Sequence, residues 1–173
     1  MNEKFFDLKK EKQDRMINAS LKVFAMNGYA HASTDDIVRE AGISKGLLFH
    51  YFVSKLGLYS FIYDYSIRYV ILELTTGVDK EETDYFRLVG QIREAELQVM
   101  RNYPCMMLFL NNSRLENVSE VLLETEDKRN ILSEKYTQIL SQATGEELDE
   151  RLSREQLSEM IRFTTEGLMR RHF

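Results

Sequence analysis

The residues best suited to chemistry lie in one short run, between positions 44 and 55. Ser44 is typical of a helix cap, because its hydroxyl can accept a free backbone N–H, and the helix would then cover Lys45 to Phe52. Leu48 and Phe52 are four residues apart, so both face one side of that helix. The side chains left toward solvent or a partner are Lys45, Gly46, Leu47, Phe49, His50 and Tyr51. Cations and aromatic rings together on a short helix favour contact with nucleic acid.

Two further helices are predicted to position this run. The first spans about Lys9 to Asn27 and stops at Asn27-Gly28. The segment Ser33-Thr34-Asp35-Asp36 then fits a capping box, in which Ser33 accepts the third amide and Asp36 reaches back to the cap. Gly42 would end that second helix two residues before Ser44, which makes a helix-turn-helix. Ser33, Thr34 and the bracketing Lys45 and Lys55 are predicted to favour phosphates.

These blocks resemble the N-terminal domain of the TetR family of transcriptional regulators. The matching segments are Phe24 to Tyr29, Ser33 to Ile37, Ala41 to Gly46 and Phe49 to Lys55. The resemblance implies a homodimer on a near-palindromic DNA operator. It also implies phosphate contacts by Thr34, Lys45, His50, Tyr51 and Lys55, with Leu47 near base edges. Leu47 and Phe49 depart from the family, which often has a small or polar residue and a tyrosine there.

The rest of the chain also has helical periodicity, so the predicted fold class is all-α. Residues 1–55 would form a three-helix helix-turn-helix domain, and residues 56–173 a helical ligand-binding and dimerisation domain. Helices are predicted over Leu56 to Leu74, Asp84 to Arg101, Ser119 to Ala143 and Ser153 to His172, with a short segment at Met106 to Leu110.

The second domain has candidate residues for an effector cavity. Arg93 and Glu96 fall on the apolar face of their predicted helix, where a charge is costly unless it is paired or used. Either they pair with each other at i, i+3 spacing, or they line an effector cavity with Tyr63, Tyr103, Met106, Met107, Phe109 and Tyr136. The aromatic and methionine residues of that set are also typical of an ordinary core.

The last predicted helix offers a dimer face. Thr164 and Gly167 are small enough for two helices to approach closely, and apolar residues flank them. The predicted face consists of Leu157, Met160, Ile161, Thr164, Gly167 and Leu168.

Composition excludes several classes of protein. A single cysteine, Cys105, cannot form an intrachain disulfide or a cysteine-based metal cluster. The N-terminus lacks the pattern of a signal peptide, and no apolar run approaches the length of a membrane span, so we expect a cytoplasmic protein. Nothing in the sequence matches a catalytic constellation, a metal site or a cofactor motif.

Charge divides the chain in two. The net charge is −5, but residues 1–60 carry nine Lys/Arg against seven Asp/Glu, and the remainder carries fourteen against twenty-one. A weakly basic N-terminal part on an acidic remainder fits a DNA-binding regulator, which we expect to be a repressor released by a small-molecule effector. The alternatives are an activator, a regulator that senses no ligand, and a helical ligand-binding or scaffold protein with a non-functional reading head.

Overall fold

A computed structural model describes residues 3–144 and, beyond them, residues 153, 156–157, 159–161, 163–164, 167 and 171. Over these residues the chain is helical and contains no β-strand, as the all-α prediction requires. Single-turn 3-10 helices span Glu3–Asp7 and Glu126–Lys128. The α-helices are α1 (Lys10–His31), α2 (Thr34–Ala41), α3 (Lys45–Phe52), α4 (Lys55–Gly77), α5 (Tyr85–Asn102), α6 (Met106–Ser113), α7 (Ser119–Thr125) and α8 (Ile131–Leu140).

Glycines end the first two helices where the sequence predicts. Gly28 interrupts α1 with a φ of +66°, and one further turn carries the chain to His31. Gly42 follows α2 with a φ of +62°, and its N–H bonds to the carbonyls of Val38 and Arg39. The left-handed conformation is accessible to glycine without steric cost, so these helix ends can be read from local sequence.

The single helix predicted over Ser119 to Ala143 is wrong. The chain forms α7, a 3-10 turn and α8 instead, because the backbone leaves α-helical geometry at Thr125, where φ is −108° and ψ is −1°. The turn redirects the chain so that α8 packs against α4 and α5. The short segment predicted at Met106 to Leu110 is longer than expected and continues as helix to Ser113.

We call residues 10–52 the reading head and residues 55–144 the helical body. The two parts share one core, because α1 packs against α6 as well as against α2. The Tyr59 ring lies 5.0 Å from that of Phe24 in the head and 5.3 Å from that of Phe109 in the body. The division into two domains after residue 55 stays a prediction; α4 begins at Lys55, and the core is continuous across this position.

A tight turn joins α3 to α4. Val53 has a φ of +63°, and the Ser54 N–H bonds to the Phe52 carbonyl at 2.6 Å across it, which makes a γ-turn. Gly57 lies directly above this turn, and a Cβ there would sit 2.3 Å from the Phe52 carbonyl oxygen. The close approach fixes the angle at which the body leaves the head.

Candidate nucleic-acid interface

The N-terminus of α2 is capped differently from the predicted capping box. The Ser33 hydroxyl accepts from the Asp35 N–H at 3.1 Å, two residues on rather than three. Asp36 does not reach back to the cap, because its carboxylate pairs with Arg39 one turn further along the helix. Thr34, the first residue of α2, is half-buried.

Helix α3 has the bounds, the cap and the inward-facing side that the sequence predicts, but its outer side is less exposed than expected. The Ser44 hydroxyl accepts from the Leu47 N–H at 3.2 Å, which caps the helix. Leu48 and Phe52 are buried and hold α3 against the rest of the head. On the outer side, Ser44, Lys45, Gly46 and His50 are exposed, and Leu47, Phe49 and Tyr51 are half-buried.

Two of the aromatic rings on α3 have neighbours that hold them. The His50 ring meets the edge of Tyr51 at 4.9 Å between centroids. Tyr51 in turn meets Phe5 at 5.8 Å, edge to face. Phe5, in the N-terminal 3-10 helix, is fully buried, and sequence reasoning missed it because it stands in a charged segment. Phe5 therefore orients one side of the predicted DNA-contacting surface.

Both predicted phosphate-binding lysines already have partners within the chain. Lys45 Nζ lies 2.9 Å from the Asp35 carboxylate, and both side chains are largely exposed. Lys55 Nζ donates to the Ala30 carbonyl at 3.3 Å and lies 4.6 Å from the centre of the Tyr29 ring. Phosphate would have to compete with these contacts, which are weak because they face solvent.

The helical body holds the end of α1. Asn112 donates its side-chain amide to the Ala25 carbonyl at 2.9 Å. The Glu116 carboxylate accepts the Tyr29 N–H at 2.9 Å, just beyond the Gly28 break. The segment that follows α6 is thereby hydrogen-bonded to the turn that contains Tyr29. The ring of this tyrosine is the one that Lys55 contacts.

Comparison with known proteins finds a family model that matches the reading head. Residues 16–60 match the family model described as bacterial regulatory proteins, tetR family. This part of the chain therefore resembles the N-terminal domain of the TetR family. The matched residues include α2, the turn and α3, the part in which the capped helix and its outward-facing side chains are found.

Curated relatives of this TetR-like domain are described as uncharacterized HTH-type transcriptional regulators. YuxN of Bacillus subtilis is 38% identical over 93 residues, which are 51% of this chain and 32% of that protein. TtgW of Pseudomonas putida is 40% identical over 47 residues, which are 27% of this chain and 35% of that protein. The chain thus matches about a third of the length of these two relatives.

A solved structure extends the likeness into the body. The TetR family transcriptional regulator PfmR of Thermus thermophilus superposes with a TM-score of 0.55 at 22% identity, covering 78% of this chain and 75% of that one. At that identity the likeness concerns the fold. It supports a TetR-like head followed by a helical domain.

The residues predicted for an effector site fall into separate groups. Arg93 forms the ion pair with Glu96 that their spacing allows, and the Tyr136 hydroxyl donates to the same carboxylate at 2.7 Å. Burial raises the pKa of the Tyr136 phenol, and the Glu96 carboxylate raises it further, so this hydroxyl stays a donor. These three residues form a closed polar cluster within the body.

Tyr103 belongs to a different cluster. Its hydroxyl donates to Asp14 of α1 at 2.8 Å and lies 2.7 Å from the Tyr65 hydroxyl. Met106, Met107 and Phe109 of α6 are buried in the shared core. Of the eight predicted effector residues, only Tyr63 lines the cavity that the structure describes between α4, α6 and α8.

A cavity of about 320 Å³ opens between α4, the end of α6 and the start of α8. Its lining residues are Tyr63, Ser113, Arg114, Arg129, Asn130 and Ser133. Sequence reasoning missed the two arginines, because Arg114 and Arg129 stand in polar stretches that indicate only solvent-exposed turns. Neither sequence position signals that the other lies across a cavity.

The predicted dimer face is divided. Leu157 and Ile161 are partly buried and pack against the core, whereas Met160, Thr164 and Gly167 are exposed. Leu168 lies outside the described residues. Within the part of the chain that the structure describes, no group of three or more His, Cys, Asp or Glu side chains is arranged to hold a metal ion, and no helix has the length and apolarity of a membrane span.

Proposed function

We propose that the chain is a sequence-specific transcriptional regulator that places α3 in the DNA major groove. The observation that supports this most directly is the exposed outer side of α3, where Lys45, Gly46 and His50 project from a helix anchored by Leu48 and Phe52. A short, capped helix that is anchored on one side only is what a helix-turn-helix requires of its second helix.

The proposed complex is a homodimer on a near-palindromic operator in the cytoplasm. Met160, Thr164 and Gly167 supply the outer side of the last helix for that dimer. The proposed activity is repression, with release from the operator by a small-molecule effector held in the body, and without catalysis. Glu116 and Asn112 support such a link between body and head, because both bond to the end of α1.

The first test is selection of bound sequences from random duplex DNA by the full-length protein at physiological salt. The expected result is enrichment of a palindrome whose half-sites lie about one helical turn apart. A folded, dimeric protein that enriches no sequence would contradict the proposal and favour a helical ligand-binding or scaffold protein with a non-functional reading head.

The contact residues are then tested with matched lysine variants. Lys45→Gln is expected to weaken operator binding about tenfold and to reduce the salt slope by about one, because one phosphate contact is lost. Lys80→Gln, at an exposed position between α4 and α5, is the control and should leave both unchanged. His50→Ala on top of Lys45→Gln should weaken binding further and by a similar factor for operator and random DNA, because both are predicted phosphate contacts, while the helical circular dichroism is retained.

A further inference from the structure

The cavity in the body is lined by donors of hydrogen bonds and carries two positive charges. Arg114 directly follows the last residue of α6, and Arg129 precedes α8 across the opening. Tyr63, Ser113, Asn130 and Ser133 complete the described lining, and none of these described residues carries a carboxylate. A space of about 320 Å³ is at the lower end of the range for small-molecule sites.

The two guanidinium groups have no acidic partner. Among the described residues, neither Arg114 nor Arg129 lies within ion-pair distance of a carboxylate. The arginines of α4 and α5, in contrast, all do. The Arg129 Nε makes one long hydrogen bond, 3.5 Å, to the Thr125 hydroxyl. The nearby Asp64 is already engaged by Arg68 and Lys128. No described residue therefore neutralises the positive charge at the cavity.

Both arginines line the cavity with Tyr63, and both affect the pKa of its phenol. Burial raises the pKa of the Tyr63 phenol, whereas the nearby charges of Arg129 and Arg114 act in the opposite direction. Two guanidinium groups from separate connecting segments thus favour the ionised form of the same hydroxyl. Planar guanidinium groups bind carboxylate and phosphate oxygens in pairs, which makes them selective for oxyanions.

We propose that this cavity binds a small molecule with a carboxylate or phosphate group, which Arg114 and Arg129 hold. The Asn130 and Ser133 side chains supply further hydrogen bonds, and the Tyr63 ring contacts the rest of the molecule. The bound anion supplies the charge that the fold leaves without a partner.

The position of the site suggests what binding does, and this step rests on the proposed function. Arg114 lies two residues from both Asn112 and Glu116, which bond to the Ala25 carbonyl and the Tyr29 N–H. An anion that draws Arg114 toward Arg129 moves this segment relative to α1. The Tyr29 ring then shifts beneath Lys55 at the start of α4.

Binding is tested without DNA, by calorimetry of the full-length protein with inorganic phosphate and with benzoate, and with benzylamine as the cationic counterpart of benzoate. We expect saturable binding of at least one of the two anions and none of benzylamine. The double variant Arg114→Gln/Arg129→Gln should lower the affinity for that anion at least tenfold. The control Arg101→Gln, on the exposed side of α5, should leave the affinity unchanged.

Three outcomes overturn the site: neither anion binds the wild-type protein, benzylamine binds as tightly as benzoate, or the double variant retains the wild-type affinity. Circular dichroism confirms that each variant is folded. The link between anion binding and DNA binding is tested separately with Glu116→Ala. This variant should still bind the anion, but the anion should no longer change its affinity for the operator. Because anion binding and DNA binding are measured apart, failure of this site is distinguished from failure of the proposed function.

Discussion

The reading head and the helical body place their charged side chains in opposite ways. In the head, Lys45 pairs with Asp35 and Lys22 with Glu40 on the outside, where both partners remain exposed. In the body, the Glu96 carboxylate is buried, and it accepts from both Arg93 and Tyr136. Exposed pairs add little to stability and are easily exchanged for another partner, whereas a buried carboxylate depends on its donors.

Because of this difference, we expect the charged groups of the head to affect binding and those of the body to affect stability. The ion pairs of the head can open at small cost, so we expect them to affect DNA affinity and its salt dependence more than stability. The Glu96 cluster cannot open without leaving polar groups unpaired inside the body, so it sets stability. Four variants test how head and body differ.

The largest effect is expected for Glu96→Ala. Arg93 and the Tyr136 hydroxyl both lose their acceptor, which should lower the free energy of unfolding by about 3 kcal/mol in urea titrations. The control Glu94→Ala removes an exposed carboxylate that lies 3.4 Å from Arg101, and the change should stay within about 0.5 kcal/mol. Equal losses in the two variants would remove the distinction between buried and exposed pairs.

The junction between head and body depends on backbone space rather than charge. In Gly57→Ala the new Cβ would meet the Phe52 carbonyl oxygen, so we expect a loss of about 2 kcal/mol of unfolding free energy. The control Gly90→Ala has no neighbouring atom within 4 Å of its Cβ and should gain up to about 1 kcal/mol, as helix propensity predicts. A stable Gly57→Ala protein would show that the turn adjusts freely.

A smaller effect is expected for Asp35→Asn, measured as operator affinity by fluorescence anisotropy. The substitution releases Lys45 from its carboxylate and removes one negative charge from the reading head, which should strengthen binding about fivefold. The control Glu81→Gln removes an exposed carboxylate from the body and should leave affinity unchanged. Weaker binding by Asp35→Asn would mean that the ion pair positions Lys45 for DNA.

The smallest effect is expected at Val53, whose φ of +63° is unfavourable for a β-branched residue. Val53→Gly should raise the free energy of unfolding by about 1 kcal/mol, because glycine adopts this conformation without a Cβ clash. Val53→Ala keeps the Cβ and should gain less. The thermal midpoints of the two variants decide whether the gain comes from the backbone or from removal of an 83% exposed apolar side chain.

Local signals explain which parts of the fold were predictable. The Ser44 cap, the Gly28 and Gly42 helix ends and the inward-facing Leu48 and Phe52 each depend on residues within one or two turns. Such signals depend only on neighbouring residues, so the helices of the reading head could be predicted from the sequence alone.

The parts that were missed depend on distant neighbours. Arg114 and Arg129 meet across the cavity only because α7 is short and the chain turns at residues 126–128. That turn contains neither glycine nor proline, so no local signal marks it. Asp35 likewise finds Lys45 ten residues away, on another helix, which periodicity does not reveal.

The shared packing of α1 has a consequence for how such proteins diversify. Phe24 of the head packs with Tyr59, which in turn packs with Phe109 of the body, and Asp14 accepts from Tyr103. A head transplanted onto an unrelated body would lose these partners and expose the inner side of α1. We therefore expect that the outer residues of α3 can be replaced without loss of the fold, whereas a stable chimera must carry the body-facing side of α1 with its own body.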